Sequence, residues 1–233
     1  MFEIENSLSK KYIIIGACIV IFVIIFSFAG PLFTGYDEYE ITYIKNGVEL
    51  SKSSSLTEKD ITINSFAEPS ALHPLGTDKE GRDILVRLMY GGQISLFVAF
   101  FTIIIQALFG TFLGLAAGYF GKVIDEIIMR FVDIVSCIPD FPVILILSAL
   151  TTNMGINPKY KIYFIILLIA FFGAMKIARV IRGQVLYIKE QDYVLAATAI
   201  GLGTYKKIIR HILPNVLPQI IILSSLGVGS VIL

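Results

Sequence analysis

Long uncharged runs, separated by segments that carry nearly all the charge, set the pattern of this chain. From Tyr12 to Phe33 no charged residue occurs, and the run is long enough to cross a bilayer as a helix. It is too long for the core of a signal peptide and lacks an obvious small-residue cleavage site, so it reads as a retained span. Ile94–Phe120 is also uncharged and holds one amide, Gln106. Ile134–Leu150 is interrupted by Asp140, which stands between Pro139 and Pro142. Ile162–Met175 has only 14 uncharged residues, short of the roughly 20 a span needs. Lys161 and Lys176 extend that run by snorkelling, and its helix is expected to continue past Arg179 into water. Ile212–Leu233 contains Pro214 and Pro218 and has no polar tail after it.

The pattern predicts an all-α, polytopic transmembrane helical bundle with five apolar segments. Its expected divisions are a cytoplasmic N-terminus over 1–11, a first transmembrane helix over 12–33, and an external segment with an interfacial helix over 34–93. A helical core over 94–233 follows, with a cytoplasmic loop at 189–211. The external segment is polar and mixed in charge, and Ser51, Ser53, Ser54 and Ser55 suggest a mobile loop within it. Orientation follows from Lys and Arg in the short flanks. With the N-terminus inside, the inner flanks hold eleven basic residues: Lys10, Lys11, Lys122, Arg130, Lys176, Arg179, Arg182, Lys189, Lys206, Lys207 and Arg210. The short outer flank holds two, Lys159 and Lys161. The N-inside arrangement is therefore expected, and the segment from Lys176 to His211 faces the cytoplasm.

Composition narrows the chemistry. The chain is 56% hydrophobic over 233 residues, above the 45–50% or so of a soluble domain. A net charge of +1 with 16% charged residues gives no reason to expect nucleic acid as a partner. Cys18 and Cys137 both lie in apolar runs, and His73 and His211 are far apart, so neither a disulfide framework nor a transition-metal site is indicated. No GxxxxGK[ST], GxSxG or HExxH string occurs. The chain thus has no phosphate-cradling loop of its own and no recognisable paired nucleophile and base.

Two strings carry the functional signal. In the first, Asp192 through Pro214, Asp192 is a candidate cap for one short helix and Gly201 a left-handed stop for it. Thr204 is a candidate cap for a second helix, and Pro214 marks the expected turn into the next span. Ala196 and Ala197 are small enough to let another protein approach the backbone; the plain alternative is an amphipathic loop. This spacing resembles the coupling loop of ATP-binding-cassette importer permeases, which docks into a groove on an ATPase subunit. The resemblance implies that Ala196, Ala197, Gly201, His211 and Pro214 belong to such an element. Leu195 departs from the family, which usually has Glu there, and His211 stands where many members have Ile. The Arg210-His211-Ile212-Leu213-Pro214-Asn215 ending is typical of the peptide branch.

The second string runs from His73 to Asp83. Thr77 and Glu80 have the spacing of a capping box, and Ile84, Leu85, Leu88 and Met89 share one face of the helix that would follow, an interfacial one. It resembles the segment before the second span in the C-type subunit of oligopeptide and dipeptide permeases. Nearly the whole chain shares the resemblance, which implies a type I importer permease fold truncated at its C-terminal end, as a fragment or an inactive form. It also implies a second permease subunit, two ATPase subunits that carry ATP and Mg, an external peptide-binding protein, and a bacterial inner membrane around the chain. No cofactor is expected on this chain itself, and related systems that carry nickel leave the cargo open.

Gly110, Gly114 and Gly118 recur at the four-residue spacing of a helix-packing stripe, or mark a loosely packed glycine-rich span. Asp140 is the acid deepest in an apolar run. It is either a lining residue of a pathway or a group that reaches water at a bend made by Pro139 and Pro142. A secondary carrier using Asp140 as an ion site is the main rival reading. Asp125, Glu126, Arg130 and Asp133 read as a solvated, paired cytoplasmic cluster.

Overall fold

A computed structural model describes residues 2–34, 37–45, 48–52 and 62–232. The chain divides into two compact units, 1–97 and 98–233.

The first unit begins with helix α1 (Phe2–Ala29), which ends in a 3₁₀ turn at Gly30–Leu32. The helix therefore includes the N-terminal segment expected to precede the span. A small antiparallel sheet follows, formed by β1 (Ile41–Lys45), β2 (Val48–Lys52) and β3 (Thr62–Ile63) in the order β2-β1-β3. Tyr43 of β1 pairs with Leu50 on one side and Ile63 on the other. Alternation there was too short to read as strands, so the sheet is an addition to the all-α expectation. Of the serine run, Ser51 falls in β2, whereas Ser53, Ser54 and Ser55 lie outside the described residues.

The capping box expected at Thr77 and Glu80 does not form. The Thr77 hydroxyl donates to the Asn64 carbonyl at 2.5 Å and accepts from the Ala67 amide at 2.9 Å. Asp83 supplies the cap instead. Its Oδ1 accepts from the Val86 amide at 2.9 Å, and its Oδ2 lies 2.8 Å from His73 Nδ1, with both side chains buried. A short-range match of residue types cannot compete with a carboxylate held by a buried imidazole. Helix α2 then runs unbroken from Ile84 to Phe120. The separate interfacial helix is thus the first turns of α2 itself. Those turns meet α1 closely: Gly92 faces Ser27, and the Gln93 side chain donates to the Ser27 carbonyl at 2.8 Å.

Asp78 organises the preceding turn. Its carboxylate accepts from the amides of Glu80 (2.8 Å) and Arg82 (3.0 Å) and from the guanidinium groups of Arg82 and Arg87. Burial alone would raise its pKa, but these donors outweigh burial and hold the carboxyl below its ordinary value.

The second unit contains the rest of α2, then α3 (Lys122–Cys137), α4 (Asp140–Asn153), α5 (Pro158–Lys189), α6 (Asp192–Ala199), α7 (Thr204–Lys207) and α8 (Leu213–Ile232). Among the described residues, four helical stretches are long and apolar enough to cross a membrane, and the bent α3–α4 pair makes a fifth by length and composition. The chain is a multi-pass membrane protein. Helices α3 and α4 meet at 75°, because extended backbone at Ile138 and Pro139 breaks the ladder. Pro142 lies in the first turn of α4, where its missing N–H has no helical partner to lose, so the break belongs to Pro139.

Candidate functional site

The seam between α2 and α5 positions the second unit. A methyl group on Gly114 would lie 2.7 Å from the Ala178 carbonyl oxygen and 2.8 Å from Ile181 Cβ. One on Gly110 would lie 2.7 Å from the Ala174 carbonyl and from Ile177 Cβ, and one on Gly118 would lie 2.7 Å from Val185 Cβ. The stripe therefore meets a helix of its own chain. A matching stripe on α5, Ala170, Ala174 and Ala178, is fully buried. Two sets of small residues at four-residue spacing let the backbones approach. The α5 stripe is not legible locally, because alanine suits any helix face and only the opposing glycines of α2 give these three a role.

Ion pairs then fasten the α3–α4 elbow to α5. Arg182 meets Asp125 in a bidentate pair with both contacts at 2.5 Å, Arg179 lies 2.7 Å from Asp133, and Lys176 lies 3.5 Å from Asp140. Of the expected cluster, Arg130 pairs with Glu126 within α3, while Asp125 and Asp133 reach across to α5. Sequence separations of 57 and 46 residues hide such partners from local reading.

The element at 189–212 is two short helices carried on the ends of longer ones. The Gly201 amide donates to the Thr198 carbonyl and the Leu202 amide to the Ala197 carbonyl, each at 3.0 Å. With Gly201 at φ +78°, this is a Schellman stop, a conformation in which a Cβ would be strained. The two side-chain caps expected here are absent. Gln191 and Gly203 hold the N-cap positions, and neither makes a side-chain cap bond; Asp192 and Thr204 are first helical residues. Pro214 is not a turn either. α7 passes through a π-helical segment, Ile208–Ile212, directly into α8. The wider π turn relieves the clash between the Pro214 ring and the carbonyls of the preceding turn. The Asn215 amide group satisfies the His211 carbonyl at 2.6 Å.

Val194 packs in a buried cluster with Ile181, Val185 and Ile212, and Ala197 is buried as well. At 5% exposure, Ala197 offers no surface to another protein, which corrects its expected place at a docking contact. Ala196 is exposed, and so are the apolar side chains of Leu195, Ile200 and Tyr205. Local pattern does not show this apolar face, because the side of α6 that packs inward is chosen by residues of α5 and α8 far away in sequence. The element is tied down at Tyr119. That ring lies 5.9 Å from Lys189 Nζ and 6.0 Å from Lys207 Nζ, within cation–π range. Lys189 also donates to the Tyr119 carbonyl at 3.0 Å, and Lys207 to the Thr198 hydroxyl at 3.2 Å. The His211 ring stands beside Tyr193, with centroids 6.4 Å apart.

A cavity of about 250 Å³ opens in this unit, lined by Gln106 of α2, Asp140 of α4, Gly173 and Lys176 of α5, and Gly227 and Ser230 of α8, among others. Asp140 thus lines a cavity and sits at the bend as well. It is half exposed at the first turn of α4, where the helix N-terminus favours a carboxylate.

Residues 110–233 match the family described as binding-protein-dependent transport system inner membrane component. Over 224 residues the chain is 32% identical to the oligopeptide transport system permease protein OppC of Bacillus subtilis (strain 168), covering 96% of this chain and 65% of that protein. It is 35% identical, with the same coverage, to the dipeptide transport system permease protein DppC of Alkalihalophilus pseudofirmus. Over 161 residues it is 38% identical to OppC of Haemophilus influenzae, covering 69% of this chain and 50% of that protein. The chain therefore spans 65% or less of the length of these relatives.

Proposed function

This chain belongs to the family of binding-protein-dependent transport system inner membrane components, and on that premise we propose that it is the C-type permease subunit of an ATP-driven peptide importer. It is not itself an enzyme. ATP and Mg are carried by two separate ATPase subunits, a second permease subunit completes the pathway, and an external binding protein delivers oligopeptide or dipeptide cargo. The setting is a bacterial inner membrane, with the N-terminus in the cytoplasm. The observation that carries this reading is the α6–α7 element. It projects Ala196, Leu195, Ile200 and Tyr205 outward while Val194, Ala197 and Ile212 lock it into the helical core.

A rigid element with an exposed apolar face transmits force. Closure of the ATPases pushes on α6 and α7. The push passes to α5 and the end of α2 through the Tyr119 contacts and the Ile181–Val185–Ile212 cluster. The α2–α5 seam moves as one body, because its backbones are too close to slide. Access to the pathway then alternates between the two sides of the membrane.

Leu195→Asp combined with Ile200→Asp tests this. Both side chains are exposed, so the subunit should reach the membrane in normal amount, whereas the ATPases should no longer co-purify and peptide uptake should stop. Retention of the ATPases with uptake intact would leave this face a plain surface loop.

A further inference from the structure

We propose that the cavity lined by α2, α5, α8 and the start of α4 is an ammonium site that takes the free α-amino group of a peptide. Asp140 is its counter-ion, and the Gln106 side-chain oxygen is its second acceptor. The proposal rests on the importer reading above and specifies which end of the cargo this subunit holds.

Gln106 is 7% exposed. Its amide nitrogen donates to the Ile169 carbonyl at 3.2 Å, which fixes the orientation of the amide, since a carbonyl there demands a donor. Its oxygen makes no hydrogen bond among the described residues. Gln106 lines the cavity, so this oxygen is an acceptor that an entering donor can use. Gly173 and Gly227 leave this amide open. A methyl group on Gly173 would overlap it, and one on Gly227 would lie 3.9 Å from its oxygen. The Ser230 hydroxyl spends its proton on the Gly227 carbonyl at 2.8 Å, so its oxygen presents lone pairs only. The polar lining is therefore acceptor-rich: one carboxylate, one amide oxygen and one hydroxyl oxygen.

Lys176 is the exception, and it is displaceable. Its ammonium lies 3.5 Å from Asp140 Oδ2, and its side chain is 77% exposed; so exposed a pair is weak. An arriving –NH₃⁺ brings three donors. It replaces Lys176 at Asp140 and adds the bond to Gln106 that Lys176 does not make. A peptide carboxylate would instead meet Asp140 and two acceptor oxygens. The volume of about 250 Å³ suits the end of a peptide rather than a whole one.

The test compares uptake of trialanine and N-acetyl-trialanine by the assembled transporter in proteoliposomes, with one binding protein throughout. In the wild type, acetylation should lower kcat/KM about tenfold or more, as expected for loss of a charge-assisted hydrogen bond. Asp140→Asn and Gln106→Leu should each narrow that ratio by slowing uptake of the free peptide far more than that of the acetylated one. Lys176→Gln, which removes the competitor, should lower KM for the free peptide alone. If Asp140→Asn does not assemble, Gln106→Leu and Lys176→Gln carry the test. An acetylated tripeptide with an internal lysine that regains uptake identifies a side-chain ammonium as an acceptable source; one that does not restricts the site to the α-amine. An unchanged ratio in every variant overturns the site while leaving peptide import intact. Failure of the wild type to import any peptide overturns the importer reading instead.

Discussion

Two neighbouring alanines show how much one residue of register decides. Ala196 is exposed, whereas Ala197, the next residue, is 5% exposed, buried like Val194 on the same helix. Ala197→Glu should bury an unpaired carboxylate and lose the folded subunit from the membrane. Ala196→Glu should leave subunit abundance unchanged and weaken only co-purification of the ATPases. Quantitative blotting of membranes, followed by affinity purification, separates the two; equal abundance of both variants would contradict the inward placement of Ala197. Asp78 offers a titration at the same scale. Its pKa is lower folded than unfolded, so its contribution is fully present at and above the ordinary carboxylate range. That contribution is lost as the pH falls through the depressed folded value. Protection of the 62–83 segment from an acid-active protease should decline in that window, and Asp78→Asn should lack the decline, starting from a state weaker by about 1–3 kcal/mol.

Helices pair here through their small residues. At Gly114 an added methyl would overlap the Ala178 carbonyl and Ile181 Cβ, neither of which is the tip of a flexible side chain. Gly114→Ala should therefore already destabilise the subunit, by about 1–3 kcal/mol. Gly114→Leu should prevent α2 and α5 from packing at all. Gly16 makes a useful control, because nothing lies within 4 Å of a methyl there. Gly16→Leu should be silent in the same thermal-aggregation assay in detergent, and equal melting of Gly114→Leu and wild type would disprove the seam. The π segment before Pro214 is a second element-scale adjustment. One widened turn accepts the proline and keeps α7 and α8 continuous.

For the whole molecule the decisive quantity is which side of the membrane each segment occupies. Eleven basic residues against two in the short flanks are the ground on which we propose that the N-terminus and the α6–α7 element lie inside. Both native cysteines are exposed and must first be replaced, as Cys18→Ser and Cys137→Ser. In that background Lys79→Cys, at an exposed side chain, should react with an impermeant thiol reagent added to intact cells. Thr204→Cys should react only after the membrane is opened. The opposite pattern would invert the chain and remove α6–α7 from the ATPase side.

The sequence by itself determined the membrane class, because desolvation of charge is paid residue by residue along the chain and leaves uncharged runs that need no partner to be read. It also determined the helix stop at Gly201 and the break before α4, since glycine and proline restrict the backbone locally. The likeness of the 192–214 string to importer coupling loops was legible for the same reason. Tertiary structure alone decided the rest. Thr77 lost its capping role to Asp83 because His73, ten residues away, holds that carboxylate in place. Asp125 and Asp133 found Arg182 and Arg179 across helices, and Gln106 met Gly173 and Gly227 from two further helices. The inward face of α6 was decided by the cluster that Val194 joins, built from α5, the π segment and α8, and Ala197 is buried too. Those pairings depend on where helices cross, and crossing is set by contacts between residues far apart in sequence, which no local window contains.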